Sequence, residues 1–419
     1  MQNISYEFKK VFGRFIIVSI LIVSTIYIVF YYFYGFPTTV RSNDAFFGLC
    51  ETGSLEQINE AIAKGANSNK KDNSGFTPLM LAAYSNKDPE VIKALVNAGA
   101  DVHARFVVNE DFEEIPIIND FTPLMFAAKY NSNPKVTATL INAGSDVNAR
   151  DTNGNTPFMF AVAENPNSEV LTDFIKAGVD VHARNKNGWT PLMLAVSSSH
   201  NMEAISILIR AGASVHDRNN DKNTPLMLAA WNNSSSEIIA ALVSSSADVH
   251  ARNEDGWTPL MLAVSRNSEP KVITVLINAG ASVHDRNNNE NTPLMLAAWN
   301  NSNPEIIAAL INSSANVHER NTNGNTPLML AAWNNSNPEV ITTLIKSGAE
   351  VNASNNNGWT PIMFAAADNP NSEVTKTLMQ FGADAKAKNN AGRMAIDYAK
   401  RKSSLMNPEV LQELRKASY

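Results

Sequence analysis

Apolar residues recur along this chain in blocks that open with Thr-Pro, and from residue 122 the step is constant. The threonines stand at 122, 156, 190, 224, 258, 292, 326 and 360, each 34 residues after the last, and a looser copy begins at Thr77. The block from Thr292 to Asn325 shows the pattern in full. Thr292-Pro293 suits a helix start, since threonine caps free amides and proline fits the first turn. Leu294, Leu296, Ala297 and Ala298 predict a short apolar helix with small residues where packing is closest. Asn300-Asn301-Ser302-Asn303 breaks it, and Pro304-Glu305 opens a second helix with Asn303 as cap. Ile306, Ile307, Leu310 and Ile311 carry the buried face of that helix at helical spacing. Val317 to Arg320 and the turn Asn323-Gly324 predict a hairpin. A period of this size predicts small units stacked on one continuous core.

The first forty residues follow another pattern. Lys9, Lys10 and Arg14 precede 19 uncharged residues, Phe15 to Phe33. As a helix these would reach roughly 28 Å, close to the thickness of a hydrocarbon core. Tyr27, Tyr31, Tyr32 and Tyr34 gather at the far end, where amphipathic rings suit a membrane interface. Gly35 and Pro37 then stop the helix. The expected organisation is a cytoplasmic tail over 1–14, a transmembrane helix over 15–34, a linker over 35–43 and repeats over 44–419. The basic flank puts the N-terminus in the cytoplasm and the repeats in the periplasm or outside the cell. The alternative is a signal peptide, cleaved on secretion. Its apolar core is shorter, at about 7–15 residues, and small residues follow it, whereas here bulky Tyr, Phe and Pro do.

Thr-Pro-Leu-Met-Leu-Ala-Ala resembles the signature of the ankyrin repeat family, Thr-Pro-Leu-His-x-Ala-Ala. Gly144-Ser-Asp-Val-Asn148 and Gly280-Ala-Ser-Val-His284 are similar to its Gly-Ala-Asp-Val-Asn ending. The resemblance runs from about Asp44 to Ser418. It takes in a degenerate first unit with Gly53-Ser54-Leu55-Glu56, nine full units, and a worn last one at Met394 to Ala399. It implies an all-α solenoid of helix-turn-helix-hairpin units in one curved array, preceded here by the transmembrane helix. It also implies a non-enzymatic scaffold whose concave groove holds a protein or peptide partner.

The sequence departs from the family pattern in three ways. The period is 34 and not 33, with the extra residue placed most simply in the Asn/Ser-rich link. The signature His is Met throughout, as at Met80, Met125, Met295 and Met363, so a family hydrogen bond is lost and apolar stacking is expected. Thr77 and Thr122 lie 45 apart, which puts 11 extra residues into a hairpin within 106–120. That insert carries Glu110, Asp111, Glu113 and Glu114, and is either a contact loop or a solvated one.

Charge and cysteine usage narrow the function. A net charge of −6 argues against a nucleic-acid partner, which needs a basic stripe. Cys50 is the only cysteine, so no intramolecular disulfide and no cysteine-based zinc site can form. No phosphate-cradling, metalloprotease or nucleophile-elbow motif occurs, so catalytic residues, cofactors and metals are not expected. His103, His182, His216, His250, His284 and His318 occupy equivalent positions. Stacked units sit roughly 8–10 Å apart, whereas two nitrogens on one zinc lie within about 4 Å. The expected role is hydrogen bonding at the hairpin base, in place of the Asn kept at Asn148 and Asn352.

Tryptophan singles out a candidate surface. Trp189, Trp257 and Trp359 precede Thr-Pro at the hairpin tip, and Trp231, Trp299 and Trp333 end the first helix. Across six consecutive units the two positions exclude one another. Phe76 with Tyr84, and Phe121 with Lys129, extend the series toward the N-terminus, and Asn155 with Ala163 leaves one gap. In the ankyrin family both positions face the groove. The resemblance therefore makes Phe76, Tyr84, Phe121, Trp189, Trp231, Trp257, Trp299, Trp333 and Trp359 candidate partner contacts, one aromatic filling a shared space per unit. Large aromatic anchors with a polar handle suit that role. Hairpin packing, or recent duplication of a 68-residue pair (189–256 and 257–324), would also account for the alternation. A spacer or surface protein with no groove ligand is the alternative function.

Overall fold

Thr292 Oγ1 accepts the Met295 N–H at 3.4 Å, and Pro293 fills the first turn of the helix Pro293–Asn300. The second helix of the same repeat, Pro304–Asn312, starts where Asn303 accepts the Glu305 N–H at 2.9 Å. It buries Ile306, Ile307 and Leu310, the residues the spacing marks. Other Thr-Pro blocks repeat this plan, and each repeat's turn leads to the next Thr-Pro. First helices are buried nearly all round, because neighbours on both sides and the second helix cover them. Second helices are amphipathic and bury one stripe.

The computed structural model describes residues 45–107, 120–165, 167–199, 201–232, 234–266, 269–400 and 407–419. The chain divides into two compact units, one ending at Asp180 and one beginning at Val181. Among the described residues the first holds four helix pairs, from Ala45–Thr52 to Ser168–Lys176, and the second seven, from Pro191–Leu194 to Pro408–Ser418. Each unit is a stack of helical repeats. The described residues contain no strand beyond one isolated bridge, Phe106 to Phe121. That bridge closes the base of the long hairpin, with Phe106 N–H donating to the Phe121 carbonyl at 2.9 Å. The four acidic residues of the insert lie outside the described residues.

The membrane expectation is corrected. No helix among the described residues is long and apolar enough to cross a membrane. The longest, Pro408–Ser418, has 11 residues, which at 1.5 Å per residue is about half a hydrocarbon core. The single-pass localisation, with the repeats outside the cytoplasm, therefore loses its support, and the transmembrane helix expected at 15–34 lies outside the described residues.

Two ladders of side chains tie successive repeats together. Asn335 donates to the Ala298 carbonyl at 3.0 Å and to the Asn301 carbonyl at 2.8 Å, both in the preceding repeat. Its oxygen accepts the Asn337 N–H at 3.0 Å. Asn369 repeats the arrangement in the same unit, and Asn131 and Asn165 do so in the other. The Asn/Ser-rich link thus satisfies backbone groups that a helix end leaves open. At the hairpin edge, Arg184, Arg218, Arg252 and Arg286 each donate to the carbonyl of the arginine one repeat on, at 2.6 to 3.0 Å. Arg184 also pairs with Asp217 at 2.6 Å, and Arg252 with Asp285 at 2.7 Å.

The methionines that replace the signature His are buried, as apolar stacking requires. Their sulfurs are not idle. Met80, Met125, Met227 and Met329 each place Sδ 3.5 Å from the backbone N–H of the capping threonine. A weak sulfur acceptor thus sits on an amide at the helix start.

Candidate functional site

In the first unit the candidate aromatics converge on one ring. Phe76, from the hairpin tip, and Tyr84, from the end of the first helix, both reach Phe126 of the next repeat, at centroid distances of 5.4 and 6.4 Å. Phe121 contacts the same ring at 5.3 Å and Phe160 at 4.7 Å. The second unit repeats the geometry. Trp333 stacks on Phe364 of the following repeat at 5.1 Å, and Trp359 meets Phe364 at 5.0 Å and Tyr398 at 4.5 Å. Tip and helix-end positions therefore lead to one space, over the fifth residue of the Thr-Pro block. Two aromatics share it in each case, Phe76 with Tyr84 over Phe126 and Trp333 with Trp359 over Phe364.

Burial separates the candidates. Phe76, Phe121, Trp189, Trp231, Trp257 and Trp359 are 8% exposed or less, which leaves them little area to offer a partner. Trp231 lies under the guanidinium of Arg266, whose carbon sits 4.5 Å from the ring centre. Tyr84, Trp299 and Trp333 are half-buried and present surface. Trp299 meets Trp333 nearly edge to face at 4.7 Å and 82°, a favoured geometry for aromatic pairs. Asn300 and Asn334, exposed beside them, add amide groups, and Asn334 ties back to the Trp299 carbonyl at 3.1 Å.

The apparent gap at Asn155 and Ala163 is occupied by a cation. Lys129, buried although charged, reaches Glu164 at 2.9 Å and lies 5.2 and 5.3 Å from the ring centres of Tyr130 and Phe160. Burial, with Glu164 and Tyr84 nearby, pushes the Tyr130 phenol far above its ordinary range. Burial also raises the Asp151 carboxyl, against hydrogen bonds from Asn155 and Asn153 and the Lys129 charge, which favour its ionised form. The alternation of tip and helix-end residues did not reveal Phe126, Phe160, Phe364 or Lys129 as members of this cluster. The signal was available: Phe replaces Leu at the fifth position of the Thr-Pro block in those repeats.

Ankyrin profiles account for most of the chain. Profiles of single and multiple ankyrin repeats match residues 74–105, 124–175, 158–253, 235–321, 266–355 and 328–417. This chain belongs to the ankyrin repeat family. No curated protein matches it. Ankyrin repeats are in general protein–protein interaction modules, and their domains are typically non-enzymatic.

Other side chains of this ankyrin repeat protein fit a scaffold role. At the hairpin base, Asn69 and Asn352 bridge to the following turn, through the carbonyls of Gly99 at 2.7 Å and Gly382 at 3.1 Å. The six equivalent histidines are exposed at that edge, and His318 Nδ1 lies 3.9 Å from Glu350. Among the described residues no group of three His, Cys, Asp or Glu side chains is placed to hold a metal ion.

Proposed function

We propose that this ankyrin repeat protein is a non-enzymatic binding module for a protein or peptide, and that Trp299 with Trp333 form a contact surface in the second unit, with Tyr84 a separate candidate contact within the first. The observation that carries this reading is partial exposure. These three candidates keep open area, whereas the other six are spent on packing between repeats. Trp299 and Trp333, flanked by the exposed amides of Asn300 and Asn334, offer apolar area and hydrogen bonds to an extended chain in the concave groove. Phe76 and Phe121 help fix Tyr84 through Phe126, and Trp359 helps fix Trp333 through Phe364.

A display library of random peptides, panned on the immobilised full chain, tests the reading. Enriched peptides should lose at least tenfold in affinity for a W299A/W333A variant whose melting curve is unchanged. Peptides that bind the variant equally well, or a selection that enriches nothing, would sink it.

A second reading, a spacer with no groove ligand, draws on the density of the asparagine and arginine ladders. It predicts tolerance of W299A/W333A in cells and failure when whole repeats are deleted.

A further inference from the structure

In the second unit, the residues that close four successive first helices form a row with one step per repeat. Arg266, Asn300, Asn334 and Asp368 stand 34 residues apart, each is the last residue of its helix, and all four are exposed. The row therefore runs cation, amide, amide, carboxylate. The half-buried Trp299 and Trp333 belong to its two middle repeats, directly before Asn300 and Asn334.

The two charged ends differ in what the fold asks of them. Arg266 suits its helix, since a cation complements the negative pole of Pro259–Arg266. Its guanidinium also stacks on Trp231, with the carbon 4.5 Å from the ring centre. Asp368 has neither advantage. A carboxylate at the end of Pro361–Asp368 faces the negative pole of the helix dipole. One repeat earlier, Asn334 donates to the Trp299 carbonyl at 3.1 Å. An ionised carboxylate has no proton to give, so Asp368 cannot repeat that bond toward Trp333. In the first unit, Glu164 takes the same place and is met by Lys129 at 2.9 Å. Folding alone favours asparagine at 368, and the chain carries aspartate.

Three repeat steps separate the ends, roughly 24–30 Å at 8–10 Å per step. An extended chain rises about 3.3 Å per residue and covers that distance in about seven to nine residues. The hairpin tip before the Thr258 repeat carries Glu254 and Asp255, whereas the tips at 322–325 and 356–359 are uncharged. Like charges repel, so an acid on a partner is held to the helix-end side, where Arg266 stands.

We propose that the second unit takes a bipolar peptide segment, with an acidic side chain on Arg266, apolar residues against Trp299 and Trp333, and a basic side chain on Asp368. This rests on the groove reading and adds the partner's charge pattern to it. Exposed ion pairs contribute little affinity, but a like charge at either end is rejected. The charged ends thus select composition and direction, while the tryptophans supply contact area.

Random peptides long enough to span the row, panned on the immobilised full chain, test it. Enriched sequences should carry an acid and a base about seven to nine residues apart, with apolar residues between. Asp368→Lys should weaken those peptides about tenfold at low salt, and the loss should shrink at high salt. The same variant should melt at or above the parent temperature, because a cation suits that helix end. A purely structural role would lower the melt and leave affinity unchanged. The double variant R266E/D368K should recover peptides synthesised with acid and base exchanged. If Arg266→Glu disturbs Trp231 and melts early, Asp368→Lys carries the test alone. Enriched peptides without the charge pair, or with unchanged affinity for Asp368→Lys, would overturn the bipolar segment. Such peptides would still lose affinity for W299A/W333A if the aromatic reading stands, which separates the two. A selection that enriches nothing removes both.

Discussion

Gly256 and Asn288 fit against each other across one repeat step. A Cβ at position 256 would lie 2.5 Å from Asn288 Oδ1, and the backbone there holds φ at +77°. Within the second unit the pairing is consistent. Gly188, Gly256, Gly324 and Gly358 each face an asparagine in the next repeat: Asn220, Asn288, Asn356 and Asn390. Lys222 and Glu290 take the same tip position with positive φ, and the residues in the register of those asparagines are Glu254 and Thr322. At these two tips the neighbour is not asparagine and the tip carries a side chain.

Two substitutions should therefore act in opposite directions. Gly256→Ala adds a clash to a left-handed backbone and should cost about 2 kcal/mol or more. Lys222→Gly relieves a left-handed lysine without any clash and should stabilise by up to about 1 kcal/mol. Urea melts of the full chain measure both. Equal effects of the two changes would remove the pairing argument.

Asn335→Ala should be among the most damaging polar changes in the second unit. The amide serves the buried carbonyls of Ala298 and Asn301 and accepts the Asn337 N–H. Losing it strands groups in three places, at about 1–3 kcal/mol for each buried group left unmet. Asn335→Asp keeps the acceptor and loses both donors, so it should also destabilise. Because coupling between neighbours makes a stack melt as one, the melt of Asn335→Ala should broaden or split as well as shift.

The helices were legible because two signals agreed at each Thr-Pro repeat: Thr-Pro for the start and branched apolar residues at helical spacing for the buried stripe. The asparagines of the link read only as a helix breaker. Their real partners lie one repeat back, 34 to 37 residues away, where no local pattern points. The same applies to the tryptophans. Exclusion between tip and helix end was visible along the chain, but the phenylalanines that the tip and helix-end rings meet, Phe126 and Phe364, were not. How much of each ring stays exposed depends on the neighbour above it, such as Arg266 over Trp231, and that is set by the stack. The membrane expectation rested on the first forty residues, which lie outside the described residues, and the short helices of the described repeats offer nothing to support it.

Thr137 and Thr375 should be improved by valine. Both occupy the second-helix position filled by Ile307 and Ile341 in other repeats, and both are fully buried. Neither hydroxyl has a hydrogen-bond partner. Valine matches the shape and removes the unmet polar atom, so each change should stabilise by about 1 kcal/mol. Chemical melts of Thr137→Val and Thr375→Val give the answer. Destabilisation by either would mean that its hydroxyl has work this packing does not show.

Asp151 gives a pH-dependent test with a definite sign. The equivalent position in the next repeats is asparagine, at Asn185, Asn219 and Asn253. Asp151 Oδ1 accepts the backbone N–H groups of Asn153 and Asn155 at 2.9 and 2.7 Å, work that an amide oxygen does equally well. Burial raises the carboxyl above its unfolded value, so the folded chain holds this proton more tightly than the unfolded one. The stabilising contribution is therefore complete below the unfolded pKa, near 4, and is lost as pH rises through the raised folded value. Asp151→Asn escapes that loss. It should be more stable than the parent chain at pH 7, and its advantage should shrink to nothing on acidification below about pH 4. Melts at pH 7, 5 and 3.5 would show the two curves converging, and a benefit that grew as pH fell would reverse the assignment.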